Sequence, residues 1–375
     1  MSTASPPALP PLPPAAERLV SLDALRGFDM FWIIGGNGLV LAIAAWFPGG
    51  VNPTLKTQMS HVEWHGFSAW DMIMPLFLFI VGAAMPFSFA KRFAQGSSLG
   101  AVYRKIIIRV LILWVLGMIA QGSLLKFKLD ELRLFSNTLQ SIAVGYLVAS
   151  IALLHLPVLG QLALAAALLL GYWGLMVWVP VPGHPAGLLE PGVNLARYVD
   201  EKVLGDFKNT NTYTWVLSGM GFAASVLLGV MSGHILRLRR SGWTRFALLL
   251  VAGGACLAAG WYWGCVFPIN KHLWTSSMVL WAGGWSFLLL ALFYVVIDVL
   301  GLRAWAFPLV VIGSNALLAY MVSHVWPMKQ FAEPLVGGLA RHLDKYGPAL
   351  LSFTSLAVLW IMLWYLYRNK TFLRA

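Results

Sequence analysis

The chain has 375 residues, 59% of them hydrophobic and 11% charged, with a mean hydropathy of +0.76. Soluble domains average roughly 25% charged residues, so the composition excludes a soluble fold and calls for an all-α, polytopic helical membrane protein. The net charge of +12 needs no nucleic acid to explain it, because bases gathered in the loops of one membrane face account for it.

Residues 1–17, rich in Pro and Ala, lack the charged start, apolar centre and cleavage site of a signal peptide and read as a disordered cytoplasmic tail. Residues 18–375 read as one transmembrane bundle. A bilayer core of about 30 Å takes roughly 20 apolar residues per helix. About ten segments meet that test: 25–46, 71–90, 105–122, 138–155, 159–179, 215–236, 245–266, 275–297, 306–326 and 348–367. Loops on the N-terminal side hold Lys91, Arg92, Arg104, Lys105, Arg237, Arg239, Arg240, Arg245 and Arg303 with few acids. Opposite loops offset their bases with Asp130, Glu131, Glu190, Asp200, Glu201 and Asp206. Both termini are therefore expected in the cytoplasm. The longest outer loop, 180–214, is Pro- and Gly-rich with one amphipathic stretch, Leu195 to Leu204, and is long enough to form a lid. Cys256 and Cys265 share one apolar stretch without metal-ligand spacing and read as packing residues.

Polar residues interrupt these spans. In the first, Asp23 and Arg26 are three apart and can pair at the cytoplasmic boundary. Asp29 lies deeper, and Asn37 follows Gly35 and Gly36 towards the outer side, a stripe that suits a cavity or a hydrogen-bonded seam. The next segment reads HVEWHGFSAWDMIMPLFLFIVG, with His61, His65 and Asp71 at the mouth of a membrane helix. A neutral imidazole suits proton removal near neutral pH. Asp71 fits either a partner for it or a helix cap, and spacing does not choose between the two histidines. Further along, Gln140 opens the fourth span, Asn270 and Lys271 sit beside His272 in an outer loop, and Asn315, Tyr320 and His324 recur at roughly helical intervals. All are expected in the outer half as acceptor-binding groups. No HExxH, Gly-rich phosphate loop or GxSxG occurs, and no metal is expected.

RLVSLDALRGFDMFWIIGGNG, SHVEWHGFSAWDMIMPLFLFIVG, VPGHPAGLLEPG and FPINKHLWTSSMVLWAGG resemble, in order, the catalytic region of the heparan-α-glucosaminide N-acetyltransferase family. The similarity runs from about Arg18 to the C-terminus. It implies acetyl-CoA as cosubstrate and an amino sugar acetylated across the membrane. The family's His-x-x-Trp-x-Gly motif matches His61, Trp64 and Gly66, which selects His61. Its first-helix asparagine, eleven residues after the LRG arginine, matches Asn37, and its downstream aspartate matches Asp71. Its Asn-Lys-x-Leu-Trp matches Asn270, Lys271, Leu273 and Trp274. Leu-Gln-Arg, common in the family, is Leu139, Gln140 and Ser141 here, which separates this chain from relatives with an anionic acceptor. The family's extracytoplasmic N-terminal domain and leading span have no counterpart, which fits a ten-span bacterial relative in the inner membrane.

The resulting expectation is acetyl transfer from cytosolic acetyl-CoA to an amino sugar or related glycan, with His61 as base or transient acetyl carrier. Asn37 would stabilise the oxyanion and Asp71 would orient the imidazole. Arg26, Arg104, Lys105 and Arg237 are the candidates for the nucleotide end. O-acetylation of an envelope glycan needs the same base. A proton-coupled transporter would use Asp29, Asn37 and His61 as its path, whereas a scaffold would leave the buried polar groups without purpose. Wide Trp- and Phe-rich lipid faces permit a homodimer.

Overall fold

The computed structural model describes residues 19–327 and 329–373, so the expected tail, 1–17, lies outside the described residues. The architecture is helical, as expected. In chain order, α1 (Val20–Phe31) continues through a wide π turn, Trp32–Gly36, into α2 (Asn37–Ala44), and a short α3 (Pro53–Gln58) follows. Then come α4 (Ile73–Ala94), α5 (Leu99–Ala120), α6 (Thr138–His155) and α7 (Val158–Trp178). A small antiparallel hairpin, β1 (Leu189–Glu190) and β2 (Val193–Asn194), leads into α8 (Leu195–Leu204). The rest is α9 (Gly219–Leu236), α10 (Gly242–Gly264), α11 (Ser276–Tyr294), α12 (Phe307–Ser314), α13 (Ala316–Val325), α14 (Lys329–His342) and α15 (Gly347–Arg368).

Eight helices among the described residues are long and apolar enough to cross a membrane. The expected span 306–326 is not one straight helix. It breaks between α12 and α13 with a 65° bend, and counted as one span it makes nine. The break falls at Asn315, whose extended-turn backbone (φ −127°, ψ 37°) ends α12. The remaining expected span is α5, which has the length but carries Arg104, Lys105 and Arg109 in its first half.

The chain divides into two compact units. A terminal unit comprises Leu19–Glu63, Ser68–Ile73 and the chain from Phe293 onward, and a central unit comprises Trp64–Phe67 and Met74–Leu292. Each is built on glycine contacts, the device by which membrane helices approach closely without a hydrophobic drive. In the terminal unit, a Cβ on Gly27 of α1 would lie 1.7 Å from the Leu309 carbonyl oxygen of α12, and one on Gly313 would lie 2.0 Å from that of Asp23. The Ser21 amide at the start of α1 donates to Asp298 (3.2 Å), placing a carboxylate on an otherwise unfilled helix N-terminus. In the central unit, Gly82 of α4 faces the Val226 carbonyl of α9, and Gly229 of α9 faces that of Phe79.

The long loop 180–214 is anchored within the central unit. Leu195 and Ala196 of α8 join Tyr172, Met176, Phe267 and Leu273 in one buried cluster. Asp200 of α8 accepts from the amides of Trp215 (2.9 Å) and Val216 (2.8 Å). Burial raises its carboxyl to about 6 against those two hydrogen bonds, which pull the other way.

Candidate active site

In the terminal unit, the polypeptide between α3 and α4 is shaped by short-range capping. Asn52 caps α3, accepting from the Thr54 amide at 2.8 Å. The Ser60 hydroxyl closes the other end on the carbonyls of Lys56 and Thr57. Ser68 and Asp71 then form a capping box at the 3₁₀ turn Ala69–Met72 that leads into α4. The Asp71 Oδ2 accepts from the Ser68 amide (3.1 Å) and the Val62 amide (3.4 Å). The Ser68 hydroxyl lies 2.9 Å from Oδ2 and 2.7 Å from the Ser60 carbonyl, bridging the two sides of the loop.

The other oxygen, Oδ1, meets His61 Nδ1 at 2.7 Å. Asp71 is 1% exposed, whereas the His61 side chain is 43% exposed. A carboxylate only accepts, so Nδ1 carries the proton and the lone pair falls on Nε2. The two readings of Asp71 are thus both realised, since one oxygen caps and the other orients.

Asn37 is brought to the same loop. Its Nδ2 donates to the Met59 carbonyl at 3.1 Å, two residues before His61. Its Oδ1 is buried and has no hydrogen-bond partner among the described residues. The wide turn that precedes it depends on glycine. Gly35 has φ +129°, and a Cβ on Gly36 would lie 2.4 Å from the Phe31 ring. Arg26 lies on the same helix and pairs with Asp23 at 3.3 Å, as their spacing predicts. Asp29 is fully buried, with neither carboxylate oxygen hydrogen-bonded among the described residues.

Other expected acceptor-binding groups of this unit are held by the fold. Asn315 donates from Nδ2 to the Thr371 carbonyl (3.1 Å) and accepts at Oδ1 from the Leu373 amide (2.9 Å), tying the C-terminal segment to the bend. Tyr320 and His324 stack with ring centroids 4.0 Å apart. His324 Nδ1 lies 2.9 Å from the Tyr320 carbonyl.

The remaining candidates belong to the central unit. Gln140 is buried, accepting from the Ser136 amide (2.8 Å) and donating to the Leu134 carbonyl. Arg104 and Lys105 are exposed on α5, and Arg237 is buried at the end of α9. Asn270 and Lys271 lie in a buried, hydrogen-bonded loop. Asn270 accepts from the Leu273 amide (3.0 Å), with its amide nitrogen 3.4 Å from His65 Nδ1. His272 stacks on Tyr213 (4.3 Å) and meets the Thr212 hydroxyl at 2.6 Å. Within their own units, His61 is therefore the histidine with a carboxylate, and His65 the one beside Asn270.

Curated proteins similar to this chain carry one activity. The chain is 26% identical to "heparan-alpha-glucosaminide N-acetyltransferase" of Homo sapiens over 424 residues, covering 96% of this chain and 61% of that protein. The Mus musculus protein of the same name is also 26% identical, covering 96% and 60%. These matches support the N-acetyltransferase family that the motifs suggest. The chain spans about 60% of the length of the curated relatives it matches. No protein-family model matches it. The likeness supports a membrane acyltransferase.

Two residues escaped the sequence reading. Ser68 was legible as the first member of an S-x-x-D capping box. Arg109 was legible as a lone base inside the apolar run of α5. Its guanidinium lies 4.3 Å from the centroid of the Tyr146 ring in α6. Among the described residues, no group of three or more His, Cys, Asp or Glu could hold a metal.

Proposed function

We propose that the protein transfers an acetyl group from acetyl-CoA to an amino group of a sugar or related glycan at the extracytoplasmic face. The observation that carries this reading is the half-exposed His61 held by the buried Asp71 at 2.7 Å. An oriented imidazole with its lone pair on Nε2 is what amine attack on a thioester requires of a base.

In the direct route, Nε2 takes the amine proton as the amine nitrogen bonds to the acetyl carbon. The carbon–sulfur bond then breaks, and the imidazolium returns the proton to the leaving thiolate. The products are an N-acetyl sugar and CoA. In the covalent route, Nε2 displaces CoA thiolate to form an acetyl-imidazolium. The amine then attacks the acetyl carbon, the bond to Nε2 breaks, and the amine proton passes by way of Nε2 to the thiolate. One N–H of the Asn37 amide serves Met59, and the second would donate to the developing oxyanion. Such a donor has been worth about 3 kcal/mol elsewhere. Asp71 holds the ring and stabilises its charged form.

The positive-inside pattern supports cytoplasmic termini and an outward-facing His61, in the inner membrane of a bacterium. Lys271 and Asn270 are the acceptor-side candidates, and the exposed Arg104 and Lys105 would attract the anionic donor. The acceptor hydroxyl of an envelope glycan would use the same base.

The test uses purified protein in detergent with acetyl-CoA and glucosamine as probe acceptor. Release of CoA beyond one equivalent per protein should require glucosamine, and His61→Ala should abolish it. Release of CoA that survives His61→Ala would overturn the assignment of the base. Brief labelling with acetyl-CoA alone separates the two routes, because protein-bound acetyl appears only in the covalent one.

A further inference from the structure

Among the long helices of the central unit, α5 carries a base, Arg109, at its middle, and none of these helices carries an acid. Between their first and last residues, α4, α5, α6, α7, α9 and α10, and α11 up to Leu292, contain no Asp or Glu. Arg109 lies ten residues into α5 and eleven from its end, about 15 Å in at 1.5 Å per residue. Its partner ring confirms the depth within the unit. Helices α5 and α6 run antiparallel, since Tyr103 meets His155 and Asn137 meets Gly117. Tyr146 is the middle of α6, nine residues before His155.

The Tyr146 ring, 1% exposed, supports one face of the guanidinium at 4.3 Å. The Arg109 Nε is buried without a hydrogen-bond partner among the described residues, yet the residue as a whole is only half-buried. A stacked guanidinium keeps its edge donors directed outward, the geometry that clamps phosphate. Ionisable groups at such depth are paired or serve a ligand.

Depth also decides which anion. If acetyl-CoA is the donor, as proposed above, its arm runs about thirteen bonds from phosphorus to sulfur. At about 1.2 Å per bond it spans about 16 Å, roughly half of a 30 Å bilayer. A thioester presented near a membrane face therefore places the phosphates of the same molecule near mid-membrane. Bases at the helix ends, such as Arg104 or Arg237, are too shallow to hold them there, and Arg109 is at that depth. We infer that Arg109, stacked on Tyr146, is the phosphate anchor of the nucleotide donor, holding the diphosphate near mid-membrane.

The experiment measures CoA and pantetheine binding by calorimetry to the full chain in nanodiscs of phosphatidylcholine, with and without phosphatidylglycerol. Pantetheine has the arm but no phosphate. Arg109→Gln should weaken CoA binding about 10- to 100-fold, Arg109→Lys by several-fold, and neither should change pantetheine binding. Thermal unfolding reports folding. If Arg109→Gln is unfolded, Arg109→Lys, which keeps the charge without the fork, carries the test. Unchanged CoA binding in a folded variant would overturn the inference, as would a parallel loss of pantetheine binding. A loss seen only with phosphatidylglycerol would assign the site to a lipid phosphate and overturn the donor role. Wild-type protein that binds neither probe would overturn the acetyltransferase reading itself.

Discussion

His61 Nδ1 and Asp71 Oδ1 lie 2.7 Å apart, and the carboxylate that holds the ring is itself held by its second oxygen. The ring orientation therefore inherits the rigidity of a helix cap. Asp71→Asn would place an amide against Nδ1 and favour the wrong tautomer. Its kcat should fall about 10³-fold, with the KM for acetyl-CoA little changed. Initial rates across acetyl-CoA concentrations check this, and an equal rise in KM would point to lost binding.

Ser68→Ala should act at one remove. It deletes the hydroxyl that bridges Asp71 Oδ2 and the Ser60 carbonyl. A cap loss of about 1 kcal/mol in stability is expected, with a kcat reduced by about fivefold while His61 and Asp71 are intact. Unfolding in detergent and initial rates read the two effects separately.

Gly27→Ala tests the α1–α12 contact. The added methyl would stand 1.7 Å from the Leu309 carbonyl oxygen, so backbone must move. Destabilisation by about 2–3 kcal/mol is expected. Gly254→Ala on α10, where a Cβ meets nothing within 4 Å, should leave stability unchanged or raise it by up to about 1 kcal/mol. Thermal unfolding of the pair in one detergent makes the comparison.

Asp200 gives a pH dependence. Its folded carboxyl titrates at about 6, above the unfolded value of about 3.9. Between those values the folded state binds more protons than the unfolded one. Its contribution is therefore whole below about pH 4 and is lost as pH rises through 6. The stability of wild type relative to Asp200→Asn should decline from pH 4 to 6 by at most about 3 kcal/mol, then level. A difference that is flat or rises over that range would refute the sign.

Asp29 separates the catalytic reading from proton-coupled transport. The proposed transfer steps do not use it, and its oxygens meet no donor among the described residues. Asp29→Asn should keep kcat within about threefold and raise stability, because burying an unpaired carboxylate is costly. Loss of all CoA release in a folded Asp29→Asn protein would favour a proton path.

Local signals were legible in the sequence and distant ones were not. The Asp23–Arg26 pair and α8 at Leu195–Leu204 followed from i,i+3 spacing and amphipathic period, which depend on neighbours alone. The bend at Asn315 was hidden, because Gly-Ser-Asn inside an apolar run reads as tolerable in a membrane helix. Asn315 was expected to bind the acceptor for the same reason, since its partners lie 56 and 58 positions away. The His61–Asp71 pairing was half legible. Ten residues of separation placed both at one helix mouth, but choosing His61 over His65 required the family motif. The wide turn before Asn37 left only Gly35-Gly36 as its trace, and α14, short and interrupted by Pro334, offered no span-length signal.

The Asn315 contacts with Thr371 and Leu373 also bear on handling the protein. An affinity tag fused after Ala375 would be separated by only two residues from Leu373, whose amide bonds to Asn315, and would pull on the α12–α13 bend. A tag ahead of residue 19 would leave that latch alone, so preparations tagged at opposite ends are not interchangeable samples.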